Sequence, residues 1–285
     1  MNLPKSPLCS IKVILCERTQ SWNFLRLNRL DNETCEEYRI MRYEEVVKKA
    51  KEEIADRLAK DTYKSGSVTY IKCDAWMAGD QINLWTYWQG HQIKDLENGV
   101  DIMLVGQDWG NPSNNDACDR IKLVREKKLA TCYDENTKNP TDKHLVRLFR
   151  ILDCDITKAD PKKRLFFTNY SLGYRKDSEQ GGMTKSLMKQ DQQLFRDLVD
   201  AIKPRCIICL GRMTYECVIE ETIKGGWKNQ LETGRPFVHF YPGSSNIKVY
   251  GVAHCGARGW NNIGGEENNV KAWKAVAKDY KETYG

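Results

Sequence analysis

Hydrophobic and polar positions follow two different periods along this chain. In residues 36–60, Val47, Ala50, Ile54 and Leu58 recur at the three- and four-residue spacing of one helix face. Glutamate or aspartate pairs with lysine four residues later on the opposite face, as on a solvated helix surface. The pattern predicts an amphipathic helix over residues 36–60.

After residue 99, short apolar runs alternate with helical stretches. Such alternation is typical of βαβ units around a parallel sheet. The predicted strands are residues 101–105, 164–168, 206–210 and 247–253, and the predicted helices are residues 141–152, 186–202, 213–223 and 269–280. We therefore expect an α/β fold, a three-layer sandwich with a mostly parallel central sheet flanked by helices, plus a mainly helical N-terminal extension.

The change of pattern near residue 99 divides the chain into two parts. Residues 1–98 are expected to form an extension packed on the main domain, and residues 99–285 are expected to form that α/β domain. The aromatic-rich residues 70–90 are assigned to core packing, with a base-stacking surface as the alternative.

Composition limits the partners and the compartment. Lysine and arginine outnumber aspartate and glutamate by 45 to 39, which permits a polyanionic partner without a basic tract. No apolar run approaches the length of about eighteen residues that a membrane span needs, and no signal peptide is predicted. Eleven cysteines, an odd number, favour a reducing compartment over a disulfide scaffold. We expect a cytoplasmic monomer without membrane association.

Distinctive residues follow each predicted strand. In an open parallel sheet, ligands bind outside the carboxyl ends of the strands, so chemistry is expected there. The segments at these positions are Gly106-Gln107-Asp108-Trp109-Gly110, Asn169-Tyr170, Gly211-Arg212 and His254-Cys255-Gly256.

This ordered set resembles the uracil-DNA glycosylase superfamily. The landmarks are a GQD turn after a strand, a later strand ending in Asn169, the P-x-x-x-x-x-LG strand from Pro204 to Gly211, and a final strand ending in His254. The resemblance covers residues 99–283. It implies a monofunctional DNA glycosylase of base-excision repair, which flips uracil or a related deaminated base from DNA and hydrolyses its N-glycosidic bond. It implies no cofactor and no metal.

The resemblance also implies a role for each landmark residue. Asp108 would position or activate the attacking water, and Gln107 would offer its main-chain amide to the flipped base. Asn169 would read the base edge with one donor and one acceptor, and His254 would donate a hydrogen bond to uracil O2 as negative charge develops. A turn-capping Asp108, an Asx turn at Asn169 and a structural His254 are the alternatives.

The sequence departs from the best-known family motif after Asp108. Trp109 and Gly110 stand where that motif has Pro-Tyr, whose tyrosine excludes the thymine methyl group. Trp109 would close the pocket by its bulk, or Gly110 would leave room for a larger base. Together with Gly106, Gln107 and Asn169, these two residues are the expected substrate-binding set.

The DNA contacts are expected from the loop after His254 and from nearby basic residues. Glycines such as Gly256 predict a mobile loop and a close approach of the backbone to phosphate. Arg258 is the candidate for filling the gap left by the flipped base, with a phosphate contact or an exposed surface arginine as the alternatives. Arg212 and Arg175 are expected to lie near the polynucleotide.

Two further assignments concern the aromatic and sulfur-containing side chains. Tyr133 is the sole aromatic in residues 112–140 and therefore the candidate for stacking on the base. Cys206 and Cys209 lie within a predicted strand and are expected to face the core rather than a metal cluster.

Two other functions fit the same pattern of residues. The first is a nucleic-acid-binding module that keeps the fold without glycosylase chemistry, since a fold does not determine a function. The second is a flavodoxin-like or nucleoside-hydrolysing enzyme that acts on small molecules and needs no basic track for DNA.

Overall fold

The computed structural model describes residues 32–71, 99–108, 123, 131, 133, 139–158, 162–176 and 181–285, with the backbone alone at residues 32–42 and 58. The strands are β1 (Thr62–Ser65), β2 (Val68–Ile71), β3 (Val100–Gly106), β4 (Leu165–Asn169), β5 (Tyr174–Arg175), β6 (Pro204–Leu210), β7 (Phe237–Phe240) and β8 (Lys248–Val252). The helices are α1 (Asn32–Glu53), α2 (Ala55–Ala59), α3 (Pro140–Ile151), α4 (Lys185–Met188), α5 (Gln192–Ile202), α6 (Arg212–Val218), α7 (Trp227–Glu232), α8 (Ala257–Asn261) and α9 (Glu266–Tyr284). Among the described helices, none has the length and apolar character needed to traverse a bilayer.

The main sheet has five strands in the order β4-β3-β6-β8-β7. The first four are parallel, and β7 joins β8 at the edge in the antiparallel sense. The sheet is therefore mixed and mostly parallel, and the prediction of an α/β fold is confirmed. The carboxyl ends of β3, β4, β6 and β8 meet at one edge, because parallel neighbours point the same way.

Both faces of this sheet are buried, as the continuous apolar runs indicate. Along β3, Met103 and Val105 join a core cluster that contains buried residues of α1 and α5. Ile102 and Leu104 point to the opposite face and join a second cluster with residues of α3 and α9. The alternation follows the two-residue period of a strand, and the sheet lies between two layers of packed side chains.

A second, three-stranded antiparallel sheet has the order β1-β2-β5 and was not predicted. A tight turn joins β1 to β2 at Gly66, whose φ of 58° favours glycine. Strand β2 then pairs with β5, with Tyr70 opposite Arg175 and Ile71 opposite Tyr174. The chain before residue 72 is thereby joined to the segment that follows β4.

Helix α1 packs on the main domain through α5. The ring of Tyr43 lies edge-on to Phe166, with centroids 6.3 Å apart. Lys49 Nζ lies 2.7 Å from Asp197 Oδ2 on α5. Tyr43 and several other apolar side chains of α1 are buried in the same cluster as β3, so this part of the N-terminal region shares the main core.

Two predicted helices are interrupted. The helix predicted over residues 36–60 breaks at Ile54, which separates α1 from α2. The helix predicted over residues 186–202 is divided by a 3₁₀ turn at Lys189–Asp191. There the Asp191 carboxylate accepts hydrogen bonds from distant groups, among them the Leu172 amide, and this tertiary contact overrides local helix propensity.

Candidate functional site

Three of the predicted site residues lie at the carboxyl edge of the main sheet. Asn169 ends β4, Asp108 lies two residues beyond β3, and His254 lies two residues beyond β8. Strand β6 separates β3 from β8, so side chains from both sides can reach over its end at Gly211. Apart from Gly211 itself and its two chain neighbours, no described residue has a heavy atom within 4 Å of a Cβ built on Gly211.

The Asn169 side chain lies directly over the backbone of Gly106. The two residues are paired in the β3–β4 register, and Tyr170 donates its amide to the Gly106 carbonyl at 2.9 Å. A Cβ at residue 106 would lie 2.0 Å from Asn169 Oδ1, which no real contact tolerates. Glycine at this position is therefore required by the placement of the Asn169 amide.

The Asp108 carboxylate has a partner on each oxygen. Gln107 Nε2 donates to Oδ1 at 2.9 Å, and Arg175 Nε forms an ion pair with Oδ2. The side chains of Asp108 and Arg175 are 9% and 11% exposed, so the pair is largely shielded from water. A charge-assisted hydrogen bond in such a setting fixes the orientation of the carboxylate.

The tautomer of His254 follows from its hydrogen bond. The Gly256 backbone amide donates to Nδ1 at 2.9 Å, so Nδ1 accepts and the proton of a neutral ring is on Nε2. Part of the His254 surface is exposed to solvent, but protein atoms surround the ring closely. The resulting desolvation lowers the pKa of His254, while the negative charge of Asp108 acts to raise it. The neutral imidazole can therefore act as a donor through Nε2.

The chain after His254 forms the short helix α8, whereas a mobile glycine loop was expected. A Cβ on Gly259 would lie 2.1 Å from the His254 carbonyl oxygen, and one on Gly256 would lie 3.0 Å from His254 Nδ1. These glycines permit close packing against the histidine. Trp260 completes the arrangement by packing on His144 of α3, with ring centroids 3.4 Å apart.

Arg212, a predicted DNA contact, forms an ion pair with Glu216 of the same helix. Its Nε donates to Glu216 Oε1 at 2.8 Å and its Nη2 to the Ile223 carbonyl at 3.0 Å. Lys185 pairs with the same carboxylate, whose side chain is 3% exposed. Lys185 and Arg212 lower the pKa of Glu216 against the opposing effect of desolvation. Arg212 remains 44% exposed, so part of its surface faces solvent.

The remaining predicted residues have different outcomes. Trp109 and Gly110 lie outside the described residues, and Arg258 is exposed on α8. Tyr133 is 4% exposed and packs against Phe167 with centroids 5.8 Å apart. The expectation that Tyr133 stacks on a base is corrected, because its ring is buried in the core cluster.

Sequence reasoning missed the link between Arg175 and Asp108. Arg175 was expected near DNA, but its guanidinium contacts a carboxylate 67 positions away along the chain. Pairs at this separation follow no sequence spacing, and β5, which carries Arg175, is two residues long. Within the described ranges, no group of three or more histidine, cysteine, aspartate or glutamate side chains is arranged to hold a metal ion.

No protein-family model matches this chain. No curated protein matches it significantly. The functional conclusions therefore depend on the geometry of the sheet edge and on the chemistry of its residues.

Proposed function

We propose that this protein is a monofunctional DNA glycosylase that hydrolyses the N-glycosidic bond of uracil or a related deaminated base in base-excision repair. The observation that carries the proposal is the position of Asp108, Asn169 and His254 at the carboxyl edge of the main sheet, at or just beyond the ends of β3, β4 and β8. A carboxylate, a base-reading amide and a neutral imidazole are the groups that this hydrolysis needs. The resemblance of the strand-end motifs to the uracil-DNA glycosylase superfamily supports the same reaction.

Asp108 supplies the base for the attacking water in this proposal. The nucleotide flips out of the stack, and the glycosidic bond loosens toward an oxocarbenium-like sugar. The water oxygen bonds to the anomeric carbon, the bonding electrons leave with the base, and the water proton passes to Asp108. General base catalysis of this kind contributes about 10²- to 10⁴-fold.

His254 stabilises the departing base. As the bond breaks, negative charge develops on the base, and a donor aimed at that charge lowers the barrier. The hydrogen bond from Gly256 to Nδ1 orients the ring with Nε2 as the donor. Desolvation keeps the ring neutral at pH 7 by lowering the pKa of His254. The neighbouring Asp108 charge would favour protonation, and desolvation outweighs it.

Asn169 selects the base. Uracil presents O4 as an acceptor and N3–H as a donor, whereas cytosine reverses both, so a fixed amide leaves unpaired polar groups against cytosine. Rejection on this ground can reach about 10⁴-fold. Asn169 Oδ1 lies in the space beside Gly106 that a Cβ at residue 106 would need. Gln107, Trp109 and Gly110 belong to the proposed set of substrate-binding residues.

The test is base release from a defined oligonucleotide. Protein in excess is incubated with DNA that contains one uracil, abasic sites are cleaved with alkali, and strand scission is measured. Scission by the wild type supports the proposal, and a panel with hypoxanthine, xanthine and a G·T mismatch identifies the preferred base. Absence of scission across the panel contradicts it.

One observation favours a second candidate, a non-catalytic nucleic-acid-binding module. Both oxygens of Asp108 have partners inside the protein, so fewer of its lone pairs are available to accept a proton from water. Binding of the oligonucleotide without scission would support this candidate.

The protein is proposed to act as a cytoplasmic monomer on DNA, with Arg258, Arg212 and Gly256 near the backbone and with no membrane or cofactor. Free, buried cysteines in the described residues are consistent with a reducing compartment. We also propose that residues 1–98 form a mainly helical extension and that residues 99–285 complete a three-layer sandwich.

A further inference from the structure

The ion pair between Arg175 and Asp108 connects the candidate site to the N-terminal region. Arg175 lies on β5, whose partner strand β2 belongs to the chain before residue 72. Its register partner is Tyr70, and the Lys176 amide donates to the Thr69 carbonyl at 2.8 Å. The backbone of Arg175 is therefore held by the β1–β2 hairpin.

A buried polar network fixes the segment between β4 and β5. Arg57 of α2 donates to both oxygens of Asp191, at 3.0 and 2.8 Å, and to the Leu172 carbonyl at 2.7 Å. Asp191 also accepts from the Leu172 amide at 3.1 Å and from the Ser171 hydroxyl at 3.0 Å. Gly173 fits beneath Arg57, because a Cβ there would lie 2.7 Å from the Arg57 Cδ atom.

The guanidinium end of Arg175 is also fixed. Its Nε contacts Asp108, and its Nη1 donates to the Gly181 carbonyl. Gln107 donates to the second oxygen of Asp108, and the negative charge of Asp108 acts to raise the pKa of both His254 and Tyr70. Arg175 is the cation in contact with Asp108 within the described residues, and a guanidinium holds a carboxylate in a defined direction.

We propose that Arg175 is a positioning residue for Asp108, and that the N-terminal hairpin is thereby part of the catalytic unit. Arg175 holds one carboxylate oxygen so that the remaining lone pairs point toward the water and the flipped nucleotide. This inference rests on the proposed glycosylase function. Misplacement of a catalytic group by about 1 Å can cost about 10²-fold in rate, so the effect of losing Arg175 is measurable.

The test separates positioning from DNA binding. Single-turnover base release is measured for Arg175→Gln over a range of protein concentrations, which gives a maximal rate and a half-saturating concentration. We expect the maximal rate to fall about 10²-fold with little change in half-saturation. Free guanidinium at millimolar concentration should partly restore the rate of Arg175→Ala, and Arg175→Lys should retain more activity than Arg175→Gln. The salt dependence of binding should stay the same.

The matched control is Arg164→Gln. Arg164 pairs with Asp101 at 3.0 Å at the opposite end of β3 and β4, so its loss removes a similar ion pair far from the site. Its rate should match the wild type. If Arg175→Gln instead weakens binding, reduces the salt dependence and keeps the maximal rate, Arg175 is a phosphate contact and the inference is wrong.

A second measurement distinguishes failure of this inference from failure of the proposed function. Urea unfolding of the wild type, Asp108→Asn, Arg175→Gln and the double variant reports coupling without any activity. Loss of Arg175 should raise the unfolding constant at least about fivefold more when Asp108 is present than in the Asp108→Asn background. If the wild type releases no base, the proposed function is wrong, and the catalytic part of the inference is wrong with it. Additive effects on unfolding overturn the positioning contact itself.

Discussion

At the scale of single residues, Asn169 is the proposed reader of the base. Its amide should favour uracil over cytosine by a wide margin, and Asn169→Asp should erode that preference, because a carboxyl group can accept from the cytosine amino group. Discrimination against thymine should be weaker, since one methyl group is worth about 1–3 kcal/mol. Release rates for uracil, thymine and cytosine in one sequence context test this. Equal rates for uracil and cytosine in the wild type would refute the role of Asn169.

Gly106 is predicted to matter because of the side chain that it accommodates. In Gly106→Ala the new methyl carbon would lie 2.0 Å from Asn169 Oδ1, far inside normal contact distance. The amide must move, and we expect base release to fall about 10²-fold. Overpacking should also destabilise the fold by about 1–3 kcal/mol.

Gly251→Ala is the control for this prediction. Residue 251 lies in β8, and a Cβ there would meet the Tyr215 ring at 2.8 Å, so the fold is strained without contact to Asn169. Its unfolding free energy should fall while its release rate stays near that of the wild type. Similar rates for both variants would show that Gly106 has no special relation to the base reader.

At the scale of elements, the buried pair Arg57–Asp191 is expected to hold α2 and the segment after β4 together. The two side chains are 9% and 2% exposed. Asp191→Asn leaves a buried guanidinium without its counter-charge, which should destabilise the protein by about 3–5 kcal/mol. Asp197→Asn removes a carboxylate from a more exposed ion pair, in which Lys49 is 42% and Asp197 is 24% exposed, and should cost about 1 kcal/mol or less. The unfolding free energies of the two variants, measured in urea, test this expectation. Equal losses of unfolding free energy would contradict it.

The four parallel strands could be predicted from the sequence because each is a continuous apolar run bounded by glycine or polar residues. The short strands could not. Strand β7 has four residues and lies at the edge of the sheet, where the apolar side chains of Val238 and Phe240 are 45% and 54% exposed. Strands β1, β2 and β5 have four, four and two residues, and their pairing joins distant parts of the chain.

In the candidate site, too, some features could be predicted from the sequence and others could not. Asp108, Asn169 and His254 could be found because each lies at or just beyond the end of a strand, and the parallel topology brings strand ends together. The partners that orient them depend on tertiary structure. Neither the contact of Arg175 with Asp108 nor the packing of Trp260 on His144 follows from local spacing.

At the scale of the whole molecule, stability should depend on pH through two histidines. Desolvation lowers the pKa of His144 and of His254 below the ordinary value of 6.5. The unfolded chain therefore binds more protons than the folded protein just below pH 6.5. The contribution of these groups is present above that pH and is lost as pH falls through the folded values.

Urea unfolding between pH 7.5 and 5.5 measures this dependence. The unfolding free energy should decline across the interval, and the decline should be smaller in His144→Gln, which cannot titrate. Carboxylates with a lowered pKa, such as Asp101 and Glu216, add a further loss as the pH falls below about 4.5. An unchanged slope in His144→Gln would contradict the assignment of His144.

The central claim is tested most directly by comparing the wild type with Asp108→Asn and His254→Ala on DNA that contains a single uracil. Single-turnover base release is followed by alkaline strand scission, with oligonucleotide binding measured in parallel. We expect scission by the wild type and a loss of about 10²-fold or more in each variant, with binding changed much less. A wild type that binds the oligonucleotide without releasing uracil, or either variant with a near-wild-type rate, would contradict the account.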